Sequence, residues 1–165
     1  MSELPFRWPV LGFGPDVGPW GDFLVYFAKP SDFEICGSWT LEHGARLGMH
    51  LVDSSGNCWE IQNIRSLGPA GSPLAQIIGA IFRQRRHRLD VEFAPKEPMT
   101  LDQVKTRAID VIDAQPHQWR DDEAIAGEAG APREESQMLE ATKDRVRRAT
   151  SLQELIESVD VPLAE

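Results

Sequence analysis

Three things are scarce in this sequence: cysteine, long apolar runs and nucleotide-binding glycine loops. The two cysteines, Cys36 and Cys58, are too few for the disulfide framework of a small secreted domain. Each falls in a stretch that reads as strand, where a thiol serves as a small apolar side chain. The apolar runs, such as residues 23–28, are strand-sized, and none nears the ~20 residues of a membrane helix. The opening MSELPFRWPV places Glu3 ahead of any apolar run and lacks a cationic start, so it does not read as a secretory signal. A cytoplasmic protein without a membrane association is expected. Gly12 and Gly14 are followed by Pro15 and Pro19. A dinucleotide fingerprint needs a helix there, because the helix N-terminus holds the pyrophosphate. Neither a Walker loop nor a Gly-x-Ser-x-Gly elbow occurs.

What is present suits one domain with a real core, since the chain has 165 residues and 41% of them are hydrophobic. The net charge of −9 is unevenly spread. Residues 121–165 hold 12 acidic and 5 basic side chains, whereas residues 83–88 hold four arginines. So acidic a chain repels nucleic acid as a whole, although one patch could still bind it, and its acidity also suits a protein partner with a basic surface.

Residues 1–21 set Phe6, Trp8, Phe13 and Trp20 among seven prolines and glycines from Pro5 to Pro19. This reads as an irregular arm pinned by large side chains, covering an edge or face of the core. Residues 22–28 predict a buried strand, 29–32 its turn, and 33–36 a second short strand. Residues 40–43 fit either more strand or a loop. The clearest hairpin pairs residues 47–52 with 58–64 across Asp53-Ser54-Ser55-Gly56-Asn57, where Gly56 or Asn57 can take positive φ. Its alternation sets Met49, Leu51, Trp59 and Ile61 on one face and His50, Glu60 and Gln62 on the other.

Ser72 and Pro73 then open an amphipathic helix whose apolar positions are Leu74, Ile77, Ile78, Ile81 and Phe82. Its end runs into the arginines, and strand 89–93 follows. Thr100 and Gln103 form a capping box for a second helix lined by Leu101, Val104, Ala108, Val111 and Ile112. Residues 120–135 are acidic and glycine-bearing and read as a linker. A charged helix over 134–149 and a short one opened by Ser151 and Glu154 complete the chain. This order, β-β-β-β-α-β-α plus a C-terminal helical tail, predicts an α+β fold. Strands first and helices late imply an antiparallel sheet of about five strands with helices on one face. The organisation is therefore an arm (1–21), a core (22–119), a linker (120–135) and a tail (136–165).

No catalytic, cofactor or metal site stands out. His43, His50, His87 and His117 are scattered singly, without metal-ligand spacing. A Cys58–His50 dyad is conceivable across the hairpin, but nothing in the sequence lowers the thiol's pKa. Asp90 and Glu92 read as the solvated face of a strand. The arginine run contrasts with its surroundings: Arg83, Arg85, Arg86 and Arg88 can clamp an oxyanion or an acidic partner. They can equally complement the dipole of the helix they end. With Trp8 and Trp20 they are the candidate partner-binding residues.

The hairpin LVDSSGNCWEI, the later helix–strand–helix and the closing ATSLQELI together resemble small bacterial immunity proteins of toxin–antitoxin competition systems. That resemblance implies a non-enzymatic inhibitor that covers a toxin, and it carries over no particular residue. Two alternatives stand beside it. One is a ligand-binding domain or enzyme with a pocket between the aromatic arm and the sheet, lined by His43 or His50. The other is a regulatory module that binds an anion or RNA through the arginine run.

Overall fold

The computed structural model describes residues 4–15, 23–81, 86–114 and 132–159, with side chains described at all of these except 78–81 and 132–138. The elements in chain order are β1 (Val10–Phe13), β2 (Leu24–Phe27), α1 (Pro30–Glu34), β3 (Ile35–Gly37), α2 (Ser38–Glu42) and β4 (His50–Asp53). They continue with β5 (Cys58–Pro69), α3 (Pro73–Ile81), β6 (Arg86–Lys96), α4 (Leu101–Ala114), α5 (Pro132–Arg148) and α6 (Leu152–Ser158). The fold is α+β, as the element order implies, and every strand pair is antiparallel.

The sheet has six strands in the order β2-β1-β4-β5-β6-β3, one more than the sequence suggests. The additional strand is β1, which lies inside the segment read as irregular and is hydrogen-bonded on both sides, to β2 and β4. All four of its residues are buried, so it lacks the polar alternation that marks a half-exposed strand. The aromatics before it do cover a face of the core, for Phe6 is buried and Trp8 half-buried there. Trp20 lies outside the described residues.

Three further boundaries differ from expectation. Phe33 belongs to α1 and the strand after it is Ile35–Gly37, because Pro30 at the first helical turn starts a helix. Residues 38–42 form α2. Strand β6 begins at Arg86, so Arg86 and Arg88 are strand residues and do not cap a helix dipole. Arg83, Arg85 and most of the linker lie outside the described residues.

Strand alternation sends side chains to two cores. On one face Leu11, Phe13, Leu24, Val52 and Cys58 meet Val104, Ala108, Val111 and Ile112 of α4, with Val146, Leu155 and Ile156 from α5 and α6. The last helices of the chain are thus integral to the core. On the other face Val10, Phe27, Leu51 and Ile61 gather around Phe6 and Phe33, with Trp59, Val91 and Phe93 against them. The sheet curls until the Phe33 ring lies 5.2 Å from Phe27 of β2 and 5.7 Å from Phe93 of β6. Each such ring pair adds about 0.5–1.5 kcal/mol beyond area burial. Arg46, buried against the Phe27 and Phe33 rings, donates from Nη1 to the Phe33 carbonyl at 2.9 Å.

The β4–β5 turn ties the arm to this frame. Asp53 is wholly buried and accepts from the Ser55 and Asn57 amides at 2.9 and 3.0 Å, from Asn57 Nδ2, and from the Arg7 amide at 3.1 Å. Ser54 Oγ donates to the Arg7 carbonyl. Gly56 takes a positive φ, +85°. The capping box of α4 forms as the sequence predicts: the Thr100 amide donates to Gln103 Oε1 and the Gln103 amide donates to Thr100 Oγ1. At α6 the Glu154 amide donates to Ser151 Oγ, but the Glu154 carboxylate accepts from the Thr150 amide and hydroxyl. Those bonds, led by the Thr150 amide, lower the pKa of Glu154.

Candidate interaction surface

Among the described residues the sheet is covered at one end and bare at the other. Strand β4 pairs with β5 only as far as residues 58–60, with one further pair of bonds between Ile61 and residues 48 and 49. Beyond that, β5 and β6 run on together to Pro69 and His87, and α3 closes this extended hairpin. Ser72 caps α3 by accepting the Ala75 amide, and Gly68 and Gly71 adopt positive φ at the joint. The short strand β3 pairs with residues 86–88 alone.

Four of the five large hydrophobic side chains that stand exposed among the described residues lie at this end: Trp39 (52% exposed), Leu67 (64%), Leu74 (66%) and Ile77 (58%). Helix α3 has no charged residue from Pro73 to Ile81. Arg86 and Arg88 are exposed at the start of β6, at the same end of the sheet. An exposed apolar helix is a feature that sequence could half-predict. The helical spacing gives an apolar side, but a sequence does not say whether that side finds a core. Here Leu74 and Ile77 do not.

His87, between the two arginines, is one of four histidines scattered along the sequence. The sheet brings Ser38 Oγ to within 3.0 Å of its Nε2 and Ser66 Oγ to within 3.1 Å of its Nδ1. The Ser66 hydroxyl also accepts from the Gly68 amide at 3.2 Å. These partners are 49 and 21 residues away in sequence, so no local motif could reveal them.

The other sequence candidates do not join this row. His50 faces Glu60 across the β4–β5 ladder at 3.7 Å, and its Nδ1 lies 3.0 Å from Arg107 Nη1. Lys96 pairs with Glu60 and, by that hydrogen bond above all, holds the Glu60 pKa below the usual carboxylate range. With charged groups on both ring nitrogens, His50 is part of an ion lattice and is not poised against Cys58. Burial pushes both Cys36 and Cys58 thiols up, so neither is activated, and both are free and buried. His43 stacks on Trp39 at 4.7 Å and is exposed. Glu92 pairs with Arg65 at 2.8 Å on the solvated face, with Asp90 exposed beside it. Trp8 packs edge-on against Phe6 at 5.8 Å and is half-buried beside that cluster.

Among the described residues no group of three or more His, Cys, Asp or Glu is placed to hold a metal ion, and no helix is long and apolar enough to cross a membrane. Comparison of the chain with protein-family models, with curated proteins and with solved structures finds no match. The function must therefore be argued from this geometry.

Proposed function

We propose that the chain is a protein-binding protein of the inhibitory, immunity type, and that its partner docks on the bare end of the sheet. The observation that carries this reading is the exposure of Leu74 and Ile77 on an uncharged helix. Apolar surface in water costs about 25 cal/mol per Å² relative to its buried state, and a clustered patch of it marks an interaction site. Arg86 and Arg88, exposed on β6 at the same end of the sheet, favour a partner with an apolar groove edged by carboxylates, since charges around an interface steer encounter and fix register. Burial of the apolar cap supplies the affinity and the arginines supply the selectivity.

The test is titration of the full chain against the toxin-like product of the gene beside its own. A complex that neutralises that product is expected. Leu74→Ser with Ile77→Ser should weaken it at least about tenfold, the scale of one or two lost apolar anchors. Arg86→Ala with Arg88→Ala should weaken it less, and mostly at low salt. A complex indifferent to both pairs moves the interface elsewhere. Absence of both complex and neutralisation overturns the immunity reading.

A further inference from the structure

We propose that Ser38 is an acyl-accepting nucleophile, with His87 as its general base and Ser66 as the residue that positions His87, and that its substrates are activated esters. The inference is independent of the docking reading, although it falls on the same end of the sheet.

A serine hydroxyl is a weak nucleophile until a base takes its proton, and that base works best when a third group fixes its tautomer and ring plane. Both contacts are present. Ser38 Oγ lies 3.0 Å from His87 Nε2, and Ser66 Oγ lies 3.1 Å from Nδ1. The Gly68 amide, 3.2 Å away, holds Ser66 by one of its lone pairs. With the ring proton on Nδ1 directed at Ser66, the Nε2 lone pair faces the Ser38 hydroxyl.

The backbone holds this row still. His87 is flanked in the sheet by Cys36 on β3 and by Pro69 on β5, so the base sits on a strand paired on both sides, the rigid kind of support a reacting group needs. Ser38 follows directly on β3, and the next residue, Trp39, is half exposed.

In the first step Ser38 Oγ bonds to the acyl carbon, and the bond from that carbon to the leaving oxygen breaks with its electron pair. The Ser38 proton passes to Nε2 and from there to the leaving group or solvent. In the second step water attacks the acyl carbon and gives its proton to Nε2. The acid departs as Ser38 Oγ regains a proton, so ester plus water becomes acid plus alcohol. An aryl ester suits the site because its leaving group departs as the anion and needs no acid.

The experiment uses the full chain with p-nitrophenyl acetate. The expected result is release of nitrophenolate in a burst that scales with protein concentration, together with one acetyl group mapped by peptide mass to Ser38. Ser38→Ala should lose both. His87→Gln should slow acylation by about 100-fold, the lower range for general-base catalysis. It should also flatten the pH dependence of acylation that a general base imposes. Ser66→Ala should keep the burst but alter that pH dependence, which a merely structural serine would not do. An acetyl group found only on lysines, a burst unchanged in Ser38→Ala, or a flat pH profile in the parent chain overturns the proposal. Peptide mapping on the parent chain decides the matter even if a variant fails to fold.

Discussion

The two ends of this sheet are built from similar residues and put them to opposite uses. At the covered end, β2, β1 and β4 lie between the helical layer and the aromatic cluster, and Leu11, Phe13, Val52 and Leu51 are wholly buried. At the bare end, Leu67, Leu74 and Ile77 are equally apolar and more than half exposed. Hydropathy is therefore no guide to which of these side chains belongs to the core. What separates them is topology. The first end is sandwiched because α4 packs back over it with α5 and α6, whereas the β5–β6 hairpin outruns both layers.

If the covered end carries the stability, its removal should be felt most strongly. Phe33→Ala takes away the ring that joins β2 to β6 through Phe27 and Phe93, and the cavity left should cost about 3–5 kcal/mol. Urea unfolding followed by tryptophan fluorescence measures it. A loss below about 1 kcal/mol would mean that the curled sheet does not depend on this contact.

The turn should come next. Asp53→Ala leaves the Arg7, Ser55 and Asn57 amides without their buried acceptor and should cost about 1–3 kcal/mol, the scale for donors left unsatisfied. The same change should release the N-terminal arm, seen as faster hydrogen exchange at Val10–Phe13. Gly56→Ala is smaller in chemistry but forced in geometry. Its φ is +85°, and an added Cβ would come 2.7 Å from the Met99 carbonyl oxygen. A cost of about 1–3 kcal/mol in the urea midpoint is expected from strain of that kind.

Much of this frame could be read from the sequence wherever a local rule decides it. Thr100 with Gln103, Ser72 before Pro73, and the 53–57 turn are local bonding patterns, and each forms. The failures have a common cause. Strand β1 is buried on both faces and interrupted by Gly12, so period-two reading does not register it, and its neighbours Pro9 and Pro15 suggest loop. Helices α1 and α2 are five residues each, too short for a 3.6-residue period to show. The Ser38–His87–Ser66 row depends on strand pairing across 21 and 49 residues, which no single segment specifies.

The ion lattice beside α4 gives a smaller effect and a signed pH dependence. The folded-state pKa of Glu60 is lowered from its ordinary value of 4.5, mainly by Lys96. Its contribution is therefore present above that ordinary value and lost as pH falls through the lowered one. Glu60→Gln should narrow the gap between urea midpoints measured at about pH 6 and about pH 3. A gap unchanged by the substitution would assign the acid sensitivity to other carboxylates, such as Glu154.

The smallest expected effect bears hardest on the comparison. Leu74→Ser with Ile77→Ser removes two large apolar side chains, a change that would cost several kcal/mol in a core. Their exposures of 66% and 58% leave little burial to lose, and the helix keeps its Ser72 cap. The urea midpoint should move by no more than about 0.5 kcal/mol, as for ordinary surface changes, while solubility rises as the apolar patch shrinks. A fall of about 2 kcal/mol or more would show that α3 packs into the body of the protein in solution. The bare end would then be core, and the docking surface would have to be sought elsewhere. An unchanged midpoint combined with lost partner binding separates the two ends cleanly, one holding the fold and the other meeting the partner.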